Sequence, residues 1–232
     1  MKLIAGISLA ITALTTAAQA VTVIVTDSQT NGTDSLPHTY VPSASDLING
    51  LNPTAQAGDF TKDGTGGVSV LNDGSFPSPI TRGAAGPFQT TAFAGCGSDA
   101  GTTVTYTLGT ASDIGSIDVY GGWGDGGRDQ QKYTISYSTA GDPGTFLSLT
   151  SVDFTFPDPN NHPLVSRVSF TDTTGTLAAN VAAIRFDFGH VEHEWAGYTE
   201  IDVFAPAAVP EPGTMALLGL ATIGMTALRR RR

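Results

Sequence analysis

Cysteine is nearly absent: Cys96 stands alone in 232 residues. No intramolecular disulfide can staple the fold, so its stability has to come from a hydrophobic core, which a chain of this length can build. Basic residues are scarce as well, 11 Lys and Arg against 21 Asp and Glu. Five of those 11 sit in the terminal segments, Lys2 and the run Arg229, Arg230, Arg231 and Arg232. Between Val21 and Pro206, six basic residues face twenty acidic ones, a net of −14. A surface of that sign repels nucleic-acid phosphates and anionic headgroups, which excludes a nucleic-acid partner. It keeps an exported protein soluble and leaves divalent cations and neutral sugars as fitting ligands.

Catalytic motifs are missing too. There is no Gly-x-Ser-x-Gly elbow and no His-Glu-x-x-His helix. The glycine run Gly121 to Gly127 is no phosphate loop, because no Lys-Ser/Thr follows and no helix begins there. Twenty acidic residues make some glycosidase-like carboxylate pair inevitable, so such a pair carries no weight. The reading is of a protein that is not an enzyme, with a polysaccharide-active hydrolase as the weakest alternative.

What is present begins with two membrane signals. Lys2, the apolar run Leu3 to Leu14, and Ala18-Gln19-Ala20 read as a signal peptide cut by signal peptidase before Val21. At the other end, Val209-Pro210-Glu211-Pro212-Gly213 leads into the uncharged Thr214 to Leu228 and then four arginines. Fifteen helical residues at 1.5 Å rise span about 22 Å. That is short of a hydrocarbon core of about 30 Å, and arginine snorkelling closes part of the gap. Terminal arginines belong on the cytoplasmic side, which leaves the main domain outside.

Between these signals no long helical period exists, but short segments alternate apolar and polar residues, the mark of half-buried strands. Val21 to Thr26, Thr102 to Leu108, Ile114 to Tyr120 and Tyr133 to Ser138 are four of them. Val165 to Phe170, Ala183 to Phe188 and Tyr198 to Phe204 complete the series. Gly121 to Gly127, Gly141 to Gly144 and Pro157 to Pro163 supply turns. The expected fold is all-β, an antiparallel jelly-roll β-sandwich. Asp27 to Pro87 reads as loops with short helical turns, one at Asp46 to Leu51. The chain thus divides into a signal peptide (1–20), a β-sandwich exterior domain (21–205), a linker with the PEP motif (206–213), a transmembrane helix (214–228) and a basic cytoplasmic end (229–232).

Two resemblances follow from these residues. The tail from Val209 to Arg232, with its Pro210-Glu211-Pro212 core, closely resembles the PEP-CTERM sorting signal of Gram-negative bacteria. That resemblance implies processing by an exosortase, a transient inner-membrane anchor, release to the cell envelope or extracellular matrix, and a link to exopolysaccharide and biofilm. The segment from Val68 to Phe204 resembles the galactose-binding-like, or discoidin-type, jelly roll. Leu71-Asn72-Asp73-Gly74 is similar to that family's early turn, and Ile114 to Tyr120 and Tyr133 to Ser138 are similar to its strands. Ala183-Ile184-Arg185-Phe186 and the closing Tyr198 to Phe204 continue the match. A Trp usual after the Asp-Gly turn is missing, and the acidic His190 to Glu194 loop is foreign to the pattern.

The resemblance implies a structural Ca²⁺ near Asn72, Asp73 and Glu200, since hard cations need several oxygens. Against it stands an ordinary turn cap and a solvated strand residue. For sugar recognition the expected residues are Trp123, Arg128, His193, Glu194 and Trp195, with indoles stacking on pyranose faces and carboxylates accepting hydroxyls. The glycines around Trp123 leave it room to project. His190 and His193 on a strand face opposite sides, and zinc would need three or four converging ligands. The functional expectation is a non-enzymatic, carbohydrate-binding surface protein whose partner is the exopolysaccharide; the rival is a structural matrix protein without a small ligand.

Overall fold

The structure is a computed structural model and describes residues 22–61, 65–83, 92–94, 102–125, 127–157, 161–191 and 195–207. The signal peptide, Cys96, His193, Glu194 and the whole sorting tail with Pro210, Glu211 and Pro212 lie outside the described residues. So does the expected membrane helix; among the described residues no helix is long and apolar enough to cross a membrane.

Among the described residues twelve strands follow one another: β1 (Thr22–Gln29), β2 (Ser35–Leu36), β3 (Ala55–Ala57), β4 (Ile80–Thr81), β5 (Ala92–Ala94) and β6 (Thr103–Ile114). β7 (Ser116–Trp123), β8 (Gln131–Thr139), β9 (Asp142–Phe154), β10 (Leu164–Asp172), β11 (Ala178–Phe188) and β12 (Ala196–Phe204) complete them. They form two five-stranded sheets, β1-β10-β7-β12-β5 and β3-β6-β11-β8-β9, with a small β2-β4 ribbon. Every pairing is antiparallel. This is the expected all-β sandwich. Alternation builds the core, because period-2 side chains give each strand one inward face. Ile117, Val119, Val168, Phe170, Ile201 and Val203 of the first sheet meet Val104, Tyr106, Ile135, Ile184 and Phe186 of the second. Each of these is fully buried.

Four of the seven expected strands fall within observed ones, and Val21 to Thr26, Thr102 to Leu108 and Ile114 to Tyr120 overlap β1, β6 and β7 but start one or two residues before them. The short β2 to β5 were not expected, and three further differences stand out. β9 was not foreseen, because its exposed Ser/Thr-rich sequence lacks a clear apolar face. Asp46 to Leu51 forms no helix; it is a bend in which Asp46 Oδ1 accepts the Ile48 N–H at 2.9 Å and the Val203 N–H at 3.1 Å. Among the described residues of this region a helical turn lies instead at Val68–Asn72. Finally, Gly121 and Gly122 belong to β7 and not to a turn. A Cβ there would come within 3.0 Å of Gly197 O and 2.9 Å of Leu164 O, so backbone approach demands glycine at both.

A second apolar cluster covers the outside of the first sheet. Leu36, Tyr40, Phe76 and Ile80 pack there on Tyr120 and Val165, with Tyr40 and Phe76 both edge-on to Tyr120. The segment before β6 is therefore a cover layer, and it encloses the outward residues of β7 and β12. β12 is consequently buried on both faces.

Candidate functional site

Burying β12 on both faces leaves acidic side chains under the cover. Glu200 and Asp202 alternate with the core residues Ile201 and Val203 and point outward into the layer. Glu200 is fully buried. Its Oε2 accepts the backbone N–H groups of Gly74 at 2.8 Å and Ser75 at 3.1 Å. Its Oε1 is buried with no hydrogen-bond partner among the described residues. Burial pushes its pKa up to about 9, and the charges of Asp202 and Asp73 push the same way against the Ser75 and Gly74 N–H groups. Asp202 accepts the Ser43 N–H at 2.9 Å. Burial, with Asp46 and Asp118 nearby, pushes its pKa up to about 7. Desolvation also raises Asp46 and Asp73.

Of the three expected metal ligands, the structure brings Asp73 and Glu200 close enough that each acts on the other's carboxyl. Asn72 is committed elsewhere. Its amide donates to Ile48 O at 2.6 Å and Leu51 O at 2.9 Å, tying the 48–51 bend to the turn. Among the described residues no three His, Cys, Asp or Glu side chains converge as a metal-binding group.

The second place of interest is one end of the sandwich. There β7 ends at Trp123 opposite Leu164 at the start of β10, and β8 begins at Gln131 opposite Phe154 at the end of β9. Tyr198 hydroxyl accepts the Lys132 N–H at 2.9 Å and Arg128 O accepts the Gly197 N–H at 2.8 Å, joining both sheets at this end. Trp123 does not project as its glycine neighbours suggested. It is 4% exposed, and the Arg128 guanidinium lies 5.4 Å from its ring centroid. The glycines serve close strand packing, which draws the indole inward, so Trp123 anchors the end and offers no stacking face. Arg128 adopts a positive φ of 67° and is half-buried, as is Trp195.

Beside this end lies a groove of about 290 Å³ lined by Lys132, Thr134, Ser151, Asp153, Asp187 and Gly189, among others. Its polar groups are held in place. Lys132 Nζ pairs with Asp153 Oδ2 at 2.8 Å, and Gln130 Nε2 donates to Asp153 Oδ1 at 2.7 Å. The Lys132 hydrogen bond holds the Asp153 carboxyl below the usual carboxylate range. Thr103 hydroxyl donates to Asp187 Oδ1 at 2.8 Å. A Cβ at Gly189 would stand 3.1 Å from Lys132 Cγ, so the glycine lets the lysine stem lie flat against the chain. The sequence reading missed this groove. Its available signal was Lys132 itself, one of six basic residues between Val21 and Pro206.

Comparison with known proteins bears on both ends of the chain. Residues 208–232 match the PEP-CTERM protein-sorting motif. No curated protein sequence is similar to the chain. Among solved structures, it is similar to a mutant lectin-binding domain of lectinolysin complexed with Lewis b, with 13% identity, TM-score 0.46, and 72% of this chain and 99% of that one covered. It is also similar to an F5/8 type C domain from Bacteroides fragilis, with 13% identity, TM-score 0.44, and 69% and 97% covered. A third is the family 32 carbohydrate-binding module of EndoD from Streptococcus pneumoniae, with 12% identity, TM-score 0.45, and 69% and 99% covered.

Proposed function

We propose that this chain is an exported, non-enzymatic carbohydrate-binding protein, addressed to the envelope by its sorting motif and processed by an exosortase. The groove beside Lys132 carries the reading. Its carboxylates and ammonium are pre-oriented by hydrogen bonds and ion pairs, and Thr134 and Ser151 add hydroxyls. Fixed donors and acceptors beside one another suit a hydroxyl-rich ligand, because little ordering entropy is left to lose on binding. The acidic surface favours a neutral glycan, such as a neutral exopolysaccharide, over a uronate-bearing one. Half-buried Trp195 and Arg128 stand at the same end, and the expected site residues His193 and Glu194 belong to the adjoining chain segment.

Ca²⁺ at Asp73 and Glu200 is part of the same proposal. The buried, unpartnered Glu200 Oε1 beside Asp73 offers a cation a carboxylate oxygen, and the remaining oxygens a hard cation needs would have to come from the chain around it. Bound there, the ion neutralises the buried carboxylates, so its role is structural.

Calorimetric titration with neutral oligosaccharides tests the reading. Asp153→Ala is expected to weaken binding about 10-fold or more, the cost of a lost charge-assisted hydrogen bond. Equal affinity in Asp153→Ala, Asp187→Ala and Trp195→Ala would remove this end as the site.

A further inference from the structure

Among the described residues the two sheets end in four edge strands, β1, β5, β3 and β9. β3 and β5 are three residues each, and short edges give a second chain little to pair with. β9 is long, but its pairing with β8 shifts register twice and its end carries the Lys132–Asp153 ion pair. Bulges and charges blunt an edge. β1 is free of bulges, and its single charge, Asp27, lies near its end and pairs with Arg167 at 3.8 Å. Its eight residues run along β10 with no register shift, hold no Pro, Lys or Arg, and carry no charge from Thr22 to Thr26. Val23, Ile24 and Val25 are 39%, 43% and 53% exposed. Successive side chains alternate, so both faces of this strand are apolar and open. On the side away from β10, alternate residues direct N–H and C=O groups outward.

We propose that β1 is a self-pairing edge, through which two copies of this chain join antiparallel about a two-fold axis at Ile24. The register follows from the sequence. Ile24 against Ile24 sets Val23 against Val25 and Thr22 against Thr26, which places like on like across the pair. Asp27, the first charge, falls beyond the partner's Thr22. Shifting the pairing by one residue sets Asp27 against Thr22, and by two sets it against Val23. Charge limits where two copies can touch. A chain of net charge −10 repels its own copy over most of its surface, so the copies meet where charge is absent, and added salt strengthens the contact by screening the rest. The contact is isologous and closes at a dimer. Antiparallel pairing points the two groove-bearing ends in opposite directions, so the dimer would bridge two ligands.

The test uses the full chain with Cys96→Ser and Ile24→Cys, oxidised and analysed without reductant. Opposed residues of an antiparallel pair have Cα atoms about 4.5–5.5 Å apart, within disulfide reach, so a cross-linked species of doubled mass is expected. Val41→Cys on the same background, 85% exposed but outside β1, is expected to remain monomeric. By sedimentation the full chain is expected to be a dimer whose fraction rises with salt, and Ile24→Lys a monomer with unchanged circular dichroism. Val25→Lys repeats that test at a second exposed position. A full chain that is monomeric at every salt concentration overturns the proposal, as does cross-linking at Ile24→Cys no faster than at Val41→Cys. Trapping of a different protein in place of a second copy overturns it too.

Discussion

At the scale of single residues, Glu200 decides how the cover layer responds to pH. Its folded pKa of about 9 lies above the ordinary 4.5, so the folded state holds the proton more tightly than the unfolded chain. That contribution to stability is complete below 4.5 and is lost as pH rises through about 9. Asp202 adds the same sign between 3.8 and about 7. Without divalent cations, Tm is expected to fall steadily across this range, and Glu200→Gln should flatten the profile. Near pH 9 that variant should exceed the parent by about 1–3 kcal/mol, the scale of one uncompensated buried polar group. Ca²⁺ should raise Tm most above pH 9, where folded Glu200 is ionised, and its effect should shrink as pH falls and protons compete for the same carboxylates. Trp123 gives a contrasting expectation. As a buried anchor, Trp123→Ala should cost about 3–5 kcal/mol in stability, visible in urea denaturation whether or not a glycan is present.

At the scale of elements, the turn after the helical segment is where the cover meets β12. Gly74 has φ +73°, and a Cβ there would stand 2.9 Å from Ala44 Cα. Its N–H also holds Glu200. Gly74→Ala should therefore destabilise the chain by about 1–3 kcal/mol through backbone strain, measurable as a lower urea midpoint. Such elements also show what a sequence can disclose. The strands of the core were legible because Ile117, Val119, Ile184 and Phe186 alternate with polar neighbours. The Asp73–Glu200 juxtaposition was legible only through a family resemblance, since 127 positions separate the two. The groove was not legible, because Lys132, Asp153 and Asp187 come from three strands whose register no local pattern encodes. Trp123 misled for a physical reason: glycines beside an aromatic signal either a loop tip or close packing, and the approach of Gly197 and Leu164 backbone decides for packing.

At the scale of the whole molecule, the topology separates the sorting motif from the proposed binding groove. β12 ends at Phe204 opposite Ser116, and β1 begins at Thr22 opposite Asp172, at the end away from Trp123 and the groove. The sorting motif at 208–232 therefore follows from the pole opposite the groove. Removing 208–232 should leave glycan affinity unchanged, while the shortened protein loses its retention at the envelope in cell fractionation. The most direct test of the central claim is a glycan-array screen of the chain, run with Ca²⁺ and again with chelator. Reproducible binding to neutral glycans, lost in Asp153→Ala and weakened by chelator, is the predicted result. A blank array under both conditions would contradict the carbohydrate-binding account and leave a structural matrix protein as the reading.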